Sequence, residues 1–358
     1  GPPLILGWFA GAYCDRWSPG KILVYSQLSF VLSGLALLTA IEYFVSEPAI
    51  RVVLILVAAG FAGIGWSFIA PARFAAVGQL VSPERLHGAT VVLNTFSMIG
   101  FGLAPLIISN LLINSGWASV SHAIIFSFIL ATLLLALSPT HGTNKVHQGV
   151  VIEIKEGVAA LQSNRLLFQL LVSAIILFSV IGPMQVILPK LASTELLLSE
   201  KERGLFLGIL ALALITGGAL CMILRNKLHD GKTILYGSVL AGGLVMALSQ
   251  LKIPEVSSVV LLMAGLIFGI IGNLIVAGMQ EVADHSVRGR IMSMYTITSQ
   301  CVPAFSGLFA GILSHFLGGS LAFLICGMLV FVMTSLNTQR LSLLRGFNRL
   351  DAKPISVS

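Results

Sequence analysis

Apolar positions in this chain come in long unbroken runs rather than at alternate places. Windows free of Asp, Glu, Lys and Arg cover 22–41, 52–72, 166–189, 204–224, 233–251 and 256–280. Each is close to the roughly 20 residues that a helix needs to cross the hydrocarbon core of a bilayer. Two further windows are too long for one crossing. Residues 88–144 hold none of the four charged types, but NSGWAS at 114–119 supplies turn chemistry in the middle, and 291–339 breaks in the same way at SHFLGGS, 314–320. Each reads as two helices joined by a short turn. With the apolar segment 1–14, the pattern predicts an all-α membrane protein with eleven spans.

The polar positions organise these spans. The largest polar break, 141–165, separates an N-terminal bundle of five spans (1–140) from a C-terminal bundle of six (166–339), which a tail at 340–358 follows. Within the break, Val151, Ile154, Val158 and Leu161 fall at helical spacing with Glu153, Lys155 and Glu156 elsewhere, which predicts an amphipathic helix at the membrane surface. Of the 21 basic residues, only Arg51, Lys190, Lys201, Arg203 and Lys252 fall on one side of the membrane when loops are taken alternately. The opposite side, with Arg16 and the C-terminal tail, is therefore expected to be cytoplasmic. An odd count then puts Gly1 near the outer face and predicts a first span before it, twelve in the whole.

Across the break the chain repeats itself weakly. DRWSPGK at 15–21 lies over NKLHDGK at 226–232, pairing Arg16 with Lys227, Gly20 with Gly231 and Lys21 with Lys232. Two spans further on, VSPERLHGA at 81–89 faces ADHSVRGRI at 283–291. Two matches in the same order predict two pseudo-symmetric six-helix bundles with a binding site midway between them, one of the known transporter architectures.

Composition removes other readings. Charged residues are 10% of the 358 and hydrophobic residues 56%, against about 25% charged in an ordinary soluble domain. The net charge of +7 is not gathered into a patch with interleaved aromatics, so nucleic acid is not an expected partner. The four cysteines are far apart and the seven histidines are scattered, which predicts no metal site or disulfide framework. No zinc-protease motif, nucleotide-binding loop or buried carboxylate pair is present, so neither an enzyme nor a cofactor is expected.

The acid–base pair Asp15–Arg16 stands at the end of the first apolar segment, behind Gly7 and Gly11, which share one helix face. Gly11, three residues, Asp15 and Arg16, with Lys21 as a trailing base, resembles the signature loop of the major facilitator superfamily. PARFAAVGQLVSPERLHGATVVLN at 71–94, IEIKEGVAALQSNRLL at 152–167 and VRGRIMSMY at 287–295 are similar to its drug and siderophore exporters, including macrolide-efflux and enterobactin-exporter proteins. Pro19 and Gly20 depart from the arginines common in that loop. GFGLAPLIISN keeps only Pro105 of the antiporter motif expected in a later span.

The resemblance implies alternating access. Asp15 would accept hydrogen bonds from a helix starting near Arg290, where the dipole favours a carboxylate, and Arg73, Arg288 and Arg290 would join Gly11, Arg16 and Lys21 in the gating set. A solvated boundary role for Asp15–Arg16 and a positive-inside anchoring role for Arg73 stay open. Spans 52–72, 166–189 and 256–280 would line the cavity, which promotes Trp66, Phe68, Met184, Gln185, Phe268 and Asn273 as substrate contacts. Aromatic, Met and amide side chains suit an amphipathic guest better than a sugar. No charge sits clearly at mid-membrane in these spans, where one costs about 2.5–3.5 kcal/mol on insertion scales, which argues against a proton relay inside them or places it in the preceding span. The expected function is proton-coupled export of a small drug or siderophore by a monomer in a bacterial inner membrane. Uptake or lipid flipping on the same scaffold, and a non-transporting scaffold or receptor, are the alternatives.

Overall fold

A computed structural model describes residues 17–137, 140–141, 161–224, 227–283 and 288–348, with the isolated positions 2–3, 6 and 159. Among the described residues regular structure is helical and no strand occurs. The helices are α1 (Pro19–Glu42), α2 (Pro48–Leu80), a run Pro83–Ala136, α5 (Arg165–Thr194), α6 (Glu200–Ile223), α7 (Asp230–Gln250), α8 (Pro254–Val282), α9 (Arg288–Leu317), α10 (Gly319–Arg340) and the short α11 (Ser342–Gly346). The run is two helices, because Gly116 interrupts it at φ 75° and ψ 179°. That conformation is essentially open to glycine alone. We call its parts α3 (83–115) and α4 (117–136). Gly318, at φ 82°, makes the corresponding turn between α9 and α10. Both long apolar windows therefore break at a glycine, inside the stretches where turn chemistry predicts it.

Among the described residues, nine helices are long and apolar enough to cross a membrane when the Leu103–Ala136 stretch counts once. Dividing that stretch at Gly116 and adding the segment 1–14, most of which lies outside the described residues, is consistent with eleven. The helices overrun the charge-free windows. The second window ends at residue 72, yet α2 continues through Arg73 to Leu80. Its 33 residues extend about 50 Å at 1.5 Å per residue, well beyond a 30 Å hydrocarbon core. A charge marks the edge of the apolar window, not the end of the helix, because Phe74, Ala75 and Ala76 continue it without a breaker. Of the four apolar positions that predict the amphipathic helix, Leu161 is among the described residues, and its side chain is buried at 4% exposure.

Contacts group the chain into two compact units, Gly1–Gly100 with Ile107–Ile152, and Phe101–Leu106 with Glu153–Ser358. In the first unit α1 packs along α2, with the Ser29 hydroxyl donating to the Phe61 carbonyl at 2.6 Å. Phe30 of α1 stacks on Phe128 of α4, their ring centroids 4.6 Å apart. A small core of Ile22, Leu23, Ala72 and Ala76 lies between α1 and α2.

The second unit holds a continuous core fed by all its helices, with Leu170, Ile187, Leu188, Leu274, Ile275 and Phe323 fully buried. Its main pairings are α5 with α9, α6 with α8, and α7 with α10. Membrane helices lack a hydrophobic drive to associate and cohere where small residues let backbones approach. Ala213 and Gly217 on α6 meet Gly265 and Gly269 on α8 in this way, each pair four residues apart. A Cβ on Gly217 would lie 2.2 Å from the Leu266 carbonyl oxygen, and one on Gly269 would lie 2.3 Å from the Leu214 oxygen. On α2, by contrast, a Cβ on Gly60 would meet nothing within 4 Å.

These contacts set a matched pair of expectations. Gly217→Ala forces two backbones apart and should cost about 1–3 kcal/mol, the usual overpacking range. Gly60→Ala should be neutral or stabilising by up to about 1 kcal/mol, from better helix propensity alone. Melting of the purified protein in detergent, followed by tryptophan fluorescence, measures both; equal melting points would refute the close crossing.

Candidate functional site

The nominated functional residues are described to different extents. Gly11, Asp15 and Arg16 lie outside the described residues. Lys21 is exposed in the first turn of α1. Arg288 and Arg290 occupy the first turn of α9, and their backbone positions alone are described. Arg73 is half-buried inside α2, seven residues and about 10 Å short of its end. Its Nη1 donates to the Ser97 hydroxyl of α3, which in turn donates to the Leu93 carbonyl at 2.9 Å. Arg73 thus links two helices of its unit, a role that the linear sequence did not suggest.

The residues nominated to meet substrate divide by burial. On α2, Trp66 is 44% exposed, whereas Phe68, two residues on and so on another face, packs against the Ile22–Leu23–Ala72–Ala76 core. In the second unit, Met184 and Phe268 are 5% and 7% exposed and belong to the bundle core. The Asn273 side chain is committed as well: Nδ2 donates to the Gly269 carbonyl at 2.9 Å, and a Cβ on Gly218 would touch that nitrogen at 2.9 Å. It serves the α6–α8 crossing. Gln185 is exposed and lines an open groove.

That groove runs between α5 and α9, with a volume of about 590 Å³. It begins where the two helices touch most closely: a Cβ on Gly182 would lie 2.3 Å from the Gly307 nitrogen and from the Pro303 oxygen. Beyond this point Val186, Leu308, Ile312 and Phe316 form apolar walls, while Gln185 and His315 supply the polar side chains. Near its far end Lys190 donates to the buried Ser314 hydroxyl at 3.1 Å, pinning α5 to α9.

Below the groove, α9 carries the polar stretch Thr296–Cys301. The hydroxyls of Thr296, Thr298 and Ser299 donate back to carbonyls three or four residues earlier, at 2.7–2.9 Å. The Gln300 amide oxygen is different: it is buried and accepts no hydrogen bond, as is the Gln27 amide oxygen on α1. Leaving a buried acceptor unmade costs about 1–3 kcal/mol, so each has capacity for a water or a ligand donor. The α9 face of the site escaped sequence reasoning because its signal, small residues such as Gly307 and Gly311 beside a polar stretch, also describes ordinary helix packing. Among the described residues no group of His, Cys, Asp and Glu has the arrangement of a metal site.

Comparison with known proteins decides the family. A sequence model of the Major Facilitator Superfamily matches residues 2–305, most of the chain. The chain belongs to the major facilitator superfamily. It is therefore a multi-pass membrane protein with the superfamily's all-α transporter fold. It is similar to macrolide efflux protein A of Enterococcus faecalis, 25% identical over 194 residues, which are 52% of this chain. The match spans 58% of the length of that relative. Its fold is similar to the crystal structure of a D-xylose–proton symporter, with a TM-score of 0.75 at 18% identity, covering 97% of this chain and 87% of the other. A peptide transporter solved with sulfate gives a TM-score of 0.72 at 13% identity, over 98% and 85% of the two chains. At such identities the two structures speak for the fold alone.

Burial orders the reactivity of this site. In a variant lacking the four native cysteines, Gln185→Cys should react readily with a water-soluble maleimide, and Met184→Cys should be protected. Equal rates for the two would show that the groove is not open to water.

Proposed function

We propose that this protein is a secondary active exporter of a small amphipathic compound, a drug or a siderophore, working by alternating access. Proton entry drives it, and it acts as a monomer in a bacterial inner membrane with its C-terminus in the cytoplasm. The observation that carries export is the likeness to the macrolide efflux protein over 194 residues on a superfamily scaffold. The lining of the α5–α9 groove supports the substrate class. Four apolar walls with one amide and one imidazole accommodate a largely apolar guest with few polar groups, whereas a sugar needs denser hydrogen bonding. Gln185 and Trp66 are the exposed members of the nominated set and the residues we assign to first contact with substrate. Met184, Phe268 and Asn273 act behind them, by holding the bundle that presents Gln185.

Expression in an efflux-deficient bacterial strain tests the function. Cells making the protein should retain less erythromycin or less of a catecholate siderophore than cells making none, and a protonophore should abolish the difference. Higher accumulation in the expressing cells would establish uptake instead, and equal accumulation of both probes would overturn the substrate class.

Asp15, with Gly11, Arg16 and Lys21, is assigned to gating. Loss of a helix-terminus contact contributes about 0.3–1 kcal/mol when exposed and up to about 2 when partly buried, so Asp15→Asn should move the ratio of inward-open to outward-open protein by roughly two- to thirtyfold. Electron-spin distance measurements between labels on the 73–87 and 281–290 segments read that ratio. An unchanged distribution at wild-type expression would return Asp15 to a solvated charge.

A further inference from the structure

The first turns of α1 and α7 share an omission. A helix leaves its first four backbone N–H groups without intrahelical partners, and a side chain at the preceding position ordinarily caps some of them. Neither Ser18, before α1, nor His229, before α7, makes such a bond with its side chain. In each helix the second residue is a glycine, Gly20 or Gly231, the two positions that the weak internal repeat lays over each other. In each, that glycine's N–H is capped from elsewhere in its own unit.

In the first unit the Thr140 hydroxyl, just after α4, accepts from the Gly20 N–H at 2.8 Å, and Ser18 Oγ lies 2.8 Å from the same hydroxyl. The next residue, His141, is held to the end of α2: its N–H donates to Gln79 Oε1 and its carbonyl accepts from Gln79 Nε2, both at 3.0 Å. In the second unit the Phe347 carbonyl, just after α11, accepts from the Gly231 N–H at 3.0 Å. The Leu344 N–H donates to Gln169 Oε1 of α5 at 2.8 Å. Leu344 is fully buried and Phe347 is 8% exposed, its ring lying 3.2 Å from where a Cβ on Gly278 of α8 would stand. A Cβ on Gly231 would fall 1.6 Å from the Leu344 oxygen, so only glycine admits the segment.

We propose that residues 341–347 form a strap that holds the ends of α5, α7 and α8 together as one rigid body, and that Thr140–His141 does the same for α1 and α2. Each bundle thereby closes its own end with the segment that leaves its last helix, which supplies the cap that the side chain before α1 or α7 does not. Alternating access requires each bundle to move as a unit, and the strap prevents the ends of α7 and α1 from fraying during that movement.

Hydrogen exchange of the full chain in detergent tests this without any substrate. In Gln169→Leu and Phe347→Ala, amides of 341–347 should exchange faster. Amides at 230–234 of α7 and 278–282 of α8 should accelerate with them by about tenfold, the change that a lost helix cap of ordinary strength produces. Thr140→Val should loosen residues 20–23 and leave 230–234 unchanged. Gly231→Ala is the stronger release; should it fail to accumulate, Gln169→Leu carries the measurement. If the freed strap leaves 230–234 and 278–282 as in the wild type, it is a passenger and the proposal is overturned. Wild-type protection of 341–347 in Gln169→Leu and Phe347→Ala would overturn it equally.

Discussion

Close approach of helix backbones is the constraint on which the second unit depends. In hydrocarbon, burying one leucine against another gains little over burying it against lipid, so helices are held by packing at short range. The shortest range requires the absence of a Cβ. At Gly217–Gly269 and Gly182–Gly307 the neighbouring backbones occupy the space where a side chain would begin. Leu170, Ile187 and Ile275 fill the core because these crossings bring their helices within reach, and the many exposed leucines, isoleucines and phenylalanines on the outer faces are what a lipid-facing surface requires.

Polar atoms inside the spans follow a related economy. Most serine and threonine hydroxyls donate to a carbonyl one turn back on their own helix, as Ser26, Ser67, Thr216 and Thr334 do. Such bonds satisfy the hydroxyl without committing it to a partner helix. Interhelical polar bonds such as Ser29 to Phe61, Arg73 to Ser97 and Lys190 to Ser314 then mark where two helices are fixed to each other. Two of these use a basic residue, and Arg73, which charge counting places in a loop, stands inside α2.

The sequence made the spans and their breaks legible because both depend on local properties. Length of an apolar window decides whether a helix can span, and a glycine inside a turn-prone stretch decides where a long window must bend, as at Gly116 and Gly318. Helix ends were less legible, since α2 runs through Pro71 and past Arg73 to Leu80. The site was legible only in part. Membership of a lining helix nominated Met184 beside Gln185, and adjacent residues on a helix point about 100° apart, so one entered the core and the other the groove. Asn273 was nominated for its amide, but nothing in the linear order announces that Gly218 would leave that amide a place in a helix crossing. Face, not identity, separates these residues, and face depends on partners far away in sequence.

The groove itself follows from the crossing that precedes it. Two straight helices brought into backbone contact at one point must diverge on either side of it, and side chains of ordinary size fill the gap only near the contact. Gly182 and Gly307 set that point, beside Pro303, whose carbonyl oxygen lies 2.3 Å from where a Cβ on Gly182 would stand. Past the contact α5 presents Gln185 and Val186 while α9 presents Gly311, whose missing side chain keeps the space open, until Lys190 reaches Ser314 and joins the helices again. The cavity is thus bounded by a glycine contact at one end and a hydrogen bond at the other. Its width is a property of the two helices' backbones, and its chemistry resides in the few side chains, Gln185 and His315 among them, that project into it. Substitution at those side chains can change the chemistry of the groove without disturbing the crossing that creates the space.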